Sequence, residues 1–257
     1  MLTFEQLRKY YEENTGASSK SMLVEYVQHE LLDSLFKQEK SRYLSFIGGT
    51  AIRIVYGGSR FSEDLNFDNF GLSFDEFHAL AESVAADMRR KGFAVEWRTI
   101  EKGAYHCYVR FPHILQEAKI DSDAEEKILV RIDTMVKKKI FTPTTHMVNR
   151  FDVYRNILVN PVSIILSQKL MAILGRKREK GRDFFDVSYL YGMTRPDFGY
   201  IEETTGMNET EFSGKILARC EALDFSLLAK DVEPFLMYPD QSVRVIGFKE
   251  FIADRLA

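Results

Sequence analysis

Residues 46–68 read Phe46-Ile47-Gly48-Gly49-Thr50-Ala51-Ile52-Arg53-Ile54-Val55-Tyr56-Gly57-Gly58-Ser59-Arg60-Phe61-Ser62-Glu63-Asp64-Leu65-Asn66-Phe67-Asp68. An apolar strand over 43–47 runs into Gly48-Gly49, a short helix over 50–56 follows, and a second strand over 63–68 carries polar oxygens at alternate positions. A glycine pair opening a helix leaves backbone N–H groups pointed at an anion, and the helix dipole adds to the attraction. Successive strand side chains face opposite sides, so Asp64, Asn66 and Asp68 fall on one face and Leu65 and Phe67 on the other. A phosphate cradle beside a row of oxygen ligands is what a metal-dependent nucleotide site requires.

The rest of the chain bounds this reading. With 257 residues, 45% hydrophobic and 28% charged, it can bury a real core and is not disordered. The formal net charge of −3 gives no global field for nucleic acid, so RNA contact needs local basic patches. Cys107 and Cys220 have no metal-ligand spacing and suit a reducing compartment. The N-terminal residues have no signal-peptide core and no apolar run reaches membrane-spanning length, so the expected location is the cytoplasm, with no membrane contact.

Helical periodicity marks 3–13 and 19–38, the second with one apolar face. Ser73 with Glu76 makes a capping box for a helix over 74–90 that ends at Gly92. Strand-like runs follow at 93–101, 105–111, 127–134 and 144–158, with turns at Lys102-Gly103 and around Asp121–Asp123. In the third run Ile128, Val130 and Ile132 face the core, and Leu129, Arg131 and Asp133 face away. Beyond Asn160-Pro161 the pattern is helical at 161–175, 182–192, 208–222 and 245–256. The expected organisation is an α/β core over 1–158, with a mixed sheet flanked by helices, and a C-terminal α-helical region over 159–257 that contributes to the site.

A second constellation lies in that helical region: Lys169, Ala172, Ile173 and Arg176 on one helix side, then Arg182-Asp183-Phe184-Phe185-Asp186. Taken alone, these residues make a salt-bridge lattice between two helices. Three basic clusters stand out, at Arg89-Arg90-Lys91, at Lys137–Lys139 and at Arg176-Lys177-Arg178 with Lys180 and Arg182. The first two read as solvated helix ends; the last flanks the second constellation and can guide an RNA through phosphate contacts. Arg53 reads as a solvated charge, and the five scattered histidines receive no role.

The glycine turn and acidic strand resemble the first motif of nucleotidyltransferases of the DNA polymerase β superfamily. Gly48-Gly49-Thr50-Ala51 with Arg60-x-Ser62-x-Asp64-Leu65-x-Phe67 is similar to the AbiEii/AbiGii toxin family within it. Lys169-x-x-Ala172-x-x-x-Arg176 followed by Arg182-Asp183-x-x-Asp186 resembles that family's second motif. Where the family carries its second Asp, this chain has Asn66.

The resemblance implies a toxin of a toxin–antitoxin or phage-defence system that transfers a nucleotide from a nucleoside triphosphate to an acceptor such as tRNA. It implies Mg2+ or Mn2+ as the ion and a separate antitoxin as partner. By the same likeness Asp64, Asn66, Asp68 and Asp133 are metal ligands, Asp133 also being the base for the acceptor hydroxyl. Gly48, Gly49, Thr50, Arg60, Ser62 and Lys169 meet the nucleotide, with helix capping an alternative for Thr50, pairing with Asp183 one for Arg60, and turn-stabilising work one for Arg60 and Ser62. Asp183 orients Lys169 or positions the acceptor, and Asp186 holds Arg176 or Arg182. Two rival readings stay open: a degenerate fold that binds nucleotide or a protein without catalysis, for which Asn66 speaks, and phosphoryl transfer from the γ-position.

Overall fold

The computed structural model describes residues 1–12, 15–120, 127–138 and 140–256. The expected turn at Asp121–Asp123, Glu13 of the first helix and Lys139 of the second basic cluster lie outside the described residues. The helices are α1 Phe4–Arg8, α2 Ser19–Phe36, α3 Gly48–Val55, α4 Phe74–Arg90, α5 Ile114–Glu117, α6 Val162–Gly175, α7 Gly181–Leu190, α8 Phe198–Thr205, α9 Glu209–Glu221, α10 Phe225–Val232, α11 Val243–Ile246 and α12 Phe248–Leu256. The strands are β1 Leu44–Ile47, β2 Leu65–Asn69, β3 Glu96–Glu101, β4 Tyr105–Phe111, β5 Ile128–Val136, β6 Thr144–Arg150 and β7 Val153–Val159. No helix among the described residues is long and apolar enough to cross a membrane.

The chain divides into two compact units. The first comprises Met1–Val55, Phe61–Lys139 and Pro143–Val159; the second comprises Tyr56–Arg60, Ile140–Thr142 and Asn160–Ala257. The first unit holds one mixed seven-stranded sheet in the order β3-β4-β5-β2-β1-β7-β6. Within it β2 runs antiparallel to β1 and parallel to β5, and β1 runs parallel to β7. This topology sets Ile47, the last residue of β1, opposite Asn66, and sets Asn66 opposite Asp133. Residues far apart in sequence thus meet at one end of the central strands. Ile128, Val130 and Ile132 of β5 are buried, while Leu129, Arg131 and Asp133 lie on a face that stays at least partly exposed.

The expected run at 144–158 is two strands, β6 and β7, closed by a tight turn at Phe151 (φ 55°). No Gly or Asn marks that turn. The Phe151 ring is instead gripped by Tyr10, Tyr26 and His29, so tertiary packing sustains a backbone that sequence signals do not advertise. The expected single helix over 245–256 is likewise two, α11 and α12, parted at Gly247, and the helices α8 and α10 are additional.

The expected one-sided burial of α2 is also corrected. Twelve of its eighteen residues are buried, including Glu25, Gln28, His29, Glu30 and Asp33. Each of these charges is matched from another element. Arg53 pairs with Glu25 at 2.8 Å, and Lys91 reaches both Glu30 and Asp33 at 2.7 Å. Arg155 meets Asp33 at 2.8 Å. Burial pushes the Asp33 carboxyl up, but hydrogen bonds from Lys37, Lys91 and Arg155 outweigh it and hold it down at about 2. Arg53 and Lys91, expected as solvated charges, are therefore structural partners of a buried polar helix.

His29 makes that helix pH-sensitive. It is 1% exposed, its Nδ1 lies 2.7 Å from the Glu25 carbonyl, and burial drives its pKa down to about 4 despite the opposing pull of Glu25. Above pH 6.5 the ring is neutral folded or unfolded and contributes no pH dependence. Between pH 6.5 and 4 the unfolded chain gains a proton that the native state refuses, so stability falls by up to about 3 kcal/mol as the pH drops. Denaturant titrations at pH 7 and pH 4 will show a smaller loss for His29→Gln than for wild type; equal losses would contradict this.

In the second unit, Tyr56–Arg60 is stitched to the C-terminal helices. The Tyr189 hydroxyl donates to Tyr56 O at 3.0 Å, Met237 N–H donates to Ser59 O at 3.0 Å, and Arg60 bridges Leu236. Gly181 opens α7 against α10 so closely that a Cβ there would fall 1.9 Å from the Leu228 carbonyl oxygen. Only glycine fits, and the Asp231 carboxylate accepts its free N–H at 2.8 Å.

Candidate active site

In the first unit, β1 ends at Ile47 and α3 begins at Gly48 with φ +80°, a left-handed conformation that favours glycine. A Cβ at Gly48 would stand 3.3 Å from Asn66 Nδ2, so the turn lies directly against the carboxamide. Gly49 is buried in the first turn of α3. Thr50 is fully buried, and its hydroxyl donates to the Asp64 carbonyl at 2.5 Å. Expected at a phosphate, it instead fastens the backbone that carries the first acid. Gln28 does the same for Ser62 by donating to its carbonyl at 2.8 Å, and the Ser62 hydroxyl has no partner among the described residues.

Asp64 sits just ahead of β2 and not within it, because the strand starts at Leu65. Its carboxylate turns to β5, where Arg131 Nη2 donates to Oδ2 at 2.5 Å and the Arg131 main-chain N–H donates to Oδ1 at 3.4 Å. The same Arg131 Nη2 lies 3.7 Å from Asp133 Oδ2. Asp133 Oδ1 in turn meets His106 Nδ1 at 2.8 Å. The hydrogen bond that Arg131 donates to Asp64, with the charges of both acids, holds the guanidinium firmly protonated. Asp64 and Asp133 thus converge on one cation, with Asn66 set opposite Asp133 in register. Asp68 lies two residues further along β2, opposite Ser45 and Met135, and is 1% exposed. No group of three His, Cys, Asp or Glu side chains suited to a metal occurs among the described residues. The side-chain oxygens gathered here that could meet an ion are those of two carboxylates, Asp64 and Asp133, and of the Asn66 carboxamide. Two acids that already neutralise a shared positive charge fit a single hard divalent ion, which asks for oxygen ligands and keeps some waters.

On the same face of the sheet, Tyr108 is opposite Arg131 and Arg98 is opposite Tyr108. The Arg98 guanidinium lies 5.0 Å from the centre of the Tyr108 ring, a cation–π arrangement. Arg110 follows on β4 with its side chain exposed. Cys107, on the opposite face, is buried and its thiol is pushed up to about 12, which removes it from nucleophilic chemistry.

In the second unit, α6 and α7 bring Lys169 and both downstream acids together. Lys169 Nζ lies 2.9 Å from Asp183 Oδ1 and 2.7 Å from Asp186 Oδ2. Arg176 Nε stands 2.6 Å from Asp183 Oδ2, close enough for an ion pair but outside hydrogen-bond geometry. Burial pushes the Asp183 carboxyl up, and the charges of Lys169, Arg176 and Arg60 outweigh it, leaving the acid ionised below its usual range. Arg60 corrects its expectation. It is 2% exposed and grips Asp186 with two hydrogen bonds of 2.6 Å, a bidentate fork that holds it inside the unit. Asp186, expected to hold Arg176 or Arg182, holds Arg60 and Lys169; Arg182 lies 6.0 Å from the Phe235 ring.

Sequence reading missed Arg131 and His106 as partners of the acids. The alternation of β5 placed Arg131 on the face of Asp133, which was signal enough. His106 required the register of β4 on β5, which no local pattern reveals.

The family model for the nucleotidyl transferase AbiEii toxin of type IV toxin–antitoxin systems matches residues 30–250, and the chain belongs to that family. No curated protein sequence matches it. Among solved structures it is similar to the nucleotidyltransferase toxin MenT4 from Mycobacterium tuberculosis H37Rv, at 14% identity and a TM-score of 0.59 over 99% of this chain and 90% of that one. It is also similar to JHP933 from Helicobacter pylori, at 16% identity and a TM-score of 0.56 over 94% of this chain and 95% of that one. At such identities these structures establish the shared nucleotidyltransferase-like fold.

Proposed function

We propose that this AbiEii-family chain acts in the cytoplasm as a metal-dependent nucleotidyltransferase, moving a nucleotide from a nucleoside triphosphate to an RNA acceptor such as tRNA. A cognate antitoxin protein restrains it. The observation that carries this reading is the convergence of Asp64 and Asp133 on one cation beside the Gly48-Gly49 turn.

A divalent ion, Mg2+ or Mn2+, would be held by Asp64, Asp133 and the Asn66 carboxamide, and would supply charge neutralisation for the triphosphate. The chain's own groups do the remaining work. The main chain at Gly48-Gly49 and the Ser62 hydroxyl offer donors to phosphate oxygens. Asp133 takes the proton of the acceptor hydroxyl, and His106, 2.8 Å away, orients it. The acceptor oxygen bonds to the α-phosphorus, the bond from that phosphorus to its bridging oxygen breaks, and pyrophosphate leaves. Arg98 over Tyr108, with Arg110 beside them, supports an RNA acceptor, since aromatic and guanidinium groups on an open sheet face suit stacked bases and phosphates.

Asn66 favours a second reading, a fold that binds nucleotide without turnover, because a carboxamide brings no charge to the ion. Mixing the protein with each nucleoside triphosphate, Mg2+ and total tRNA will release pyrophosphate that depends on the tRNA. Magnesium-dependent nucleotide binding with no pyrophosphate would establish the second reading, and release of nucleoside diphosphate with a phosphorylated acceptor would point to phosphoryl transfer.

A further inference from the structure

We propose that Arg131 is a resident cation that must leave the acidic pair before a divalent ion can bind, which makes metal and nucleotide binding interdependent. The inference rests on the assignment of Asp64 and Asp133 as metal ligands. Arg131 touches both acids through one nitrogen, at 2.5 Å and 3.7 Å, so its charge stands where a shared ligand would have to stand. The main-chain N–H of the same residue also faces Asp64 Oδ1, at 3.4 Å, so the acid keeps one neutral donor when the guanidinium departs. A guanidinium and a divalent ion cannot share two carboxylates, because like charges at such distances repel. Asn66 sharpens the competition, since it adds no negative charge to hold both.

Arg131 has room to move. Its side chain is 40% exposed, and its cross-strand neighbour is Tyr108 on the open face of the sheet. Once displaced, it needs a new anion, and the triphosphate is the one that arrives with the ion. The metal alone therefore competes with Arg131, whereas metal with nucleotide gives Arg131 a second partner. Reciprocal linkage follows: each ligand strengthens the other by the same factor.

The test measures Mn2+ affinity by electron paramagnetic resonance, with and without α,β-methylene analogues of the four nucleoside triphosphates, which cannot turn over. Wild type will bind Mn2+ weakly alone and about tenfold more tightly with the analogue. Arg131→Gln will bind Mn2+ about tenfold more tightly without nucleotide and lose most of the coupling, and Arg131→Lys will restore part of it. Lys102→Gln removes an equal charge from the exposed turn between β3 and β4 without touching either acid, and will leave both values near wild type. Thermal unfolding of each variant confirms that it is folded.

Equal Mn2+ affinity in wild type and Arg131→Gln would overturn the proposal, as would an equal gain in Lys102→Gln. Failure of the underlying assignment looks different: Mn2+ binding that survives Asp64→Ala would mean that the acids are not the ligands at all.

Discussion

Arg60→Met is expected to cost the second unit roughly 3–5 kcal/mol, because it strands Asp186 inside the fold with half of its compensation gone. Arg60 and Asp186 are 2% and 1% exposed at their side chains and are joined by two short hydrogen bonds. After the substitution Lys169 is the one ion-pair partner that Asp186 keeps among the described residues, and it must also serve Asp183. The opposing charge of Asp186 holds the buried guanidinium protonated against the cost of burial. Methionine fills much of the arginine volume, so a loss of this size reports the unpaired charge and not a cavity. The double variant Arg60→Met with Asp186→Leu should recover most of the loss, since well-packed apolar residues replace a buried pair at little cost. Urea denaturation of the full-length single and double variants measures both, and a single variant within about 1 kcal/mol of wild type would remove Arg60 from the structural role given to it here.

The second large effect is on chemistry. Asp64→Asn is expected to lower nucleotide transfer by on the order of a thousandfold while leaving the fold intact. The substitution keeps the side chain's shape and removes the charge that, with Asp133, balances the cation between β2 and β5. Asp64 is partly exposed and its backbone is independently held by the Thr50 hydroxyl, so the local structure survives. Initial rates at saturating nucleoside triphosphate, set beside circular dichroism spectra, separate the two effects. A variant that retains half the wild-type rate would remove Asp64 from the chemistry.

The order of these two effects reflects what local sequence can and cannot encode. Gly48 and the apolar alternation of β5 were legible because each depends on near neighbours: a tight turn, a period of two. The capping box at Ser73 and Glu76 and the stop at Gly92 were legible for the same reason. The pairing of Arg60 with Asp186 was not, because that partner lies 126 residues away. Nor was the all-round burial of α2, whose acids are matched by Arg53, Lys91 and Arg155 from three other segments. The turn at Phe151 failed for a third reason. Its strained backbone is sustained by aromatic packing from α2 and the N-terminal residues, where sequence rules look for Gly or Asn. Local chemistry was readable; the partners that set each charge's role were long-range.

The central claim, transfer of a nucleotide to RNA through the Asp64–Asp133 pair, is tested most directly with labelled nucleoside triphosphates. Each of the four is supplied with the label at the α-phosphate or at the γ-phosphate, with Mg2+ and total tRNA, to wild type and Asp64→Asn. The account predicts α-label on RNA with wild type for at least one nucleotide, none from the γ-label, and a loss of signal with Asp64→Asn. RNA labelled from the γ-position, or α-labelling that persists undiminished in Asp64→Asn, would contradict it.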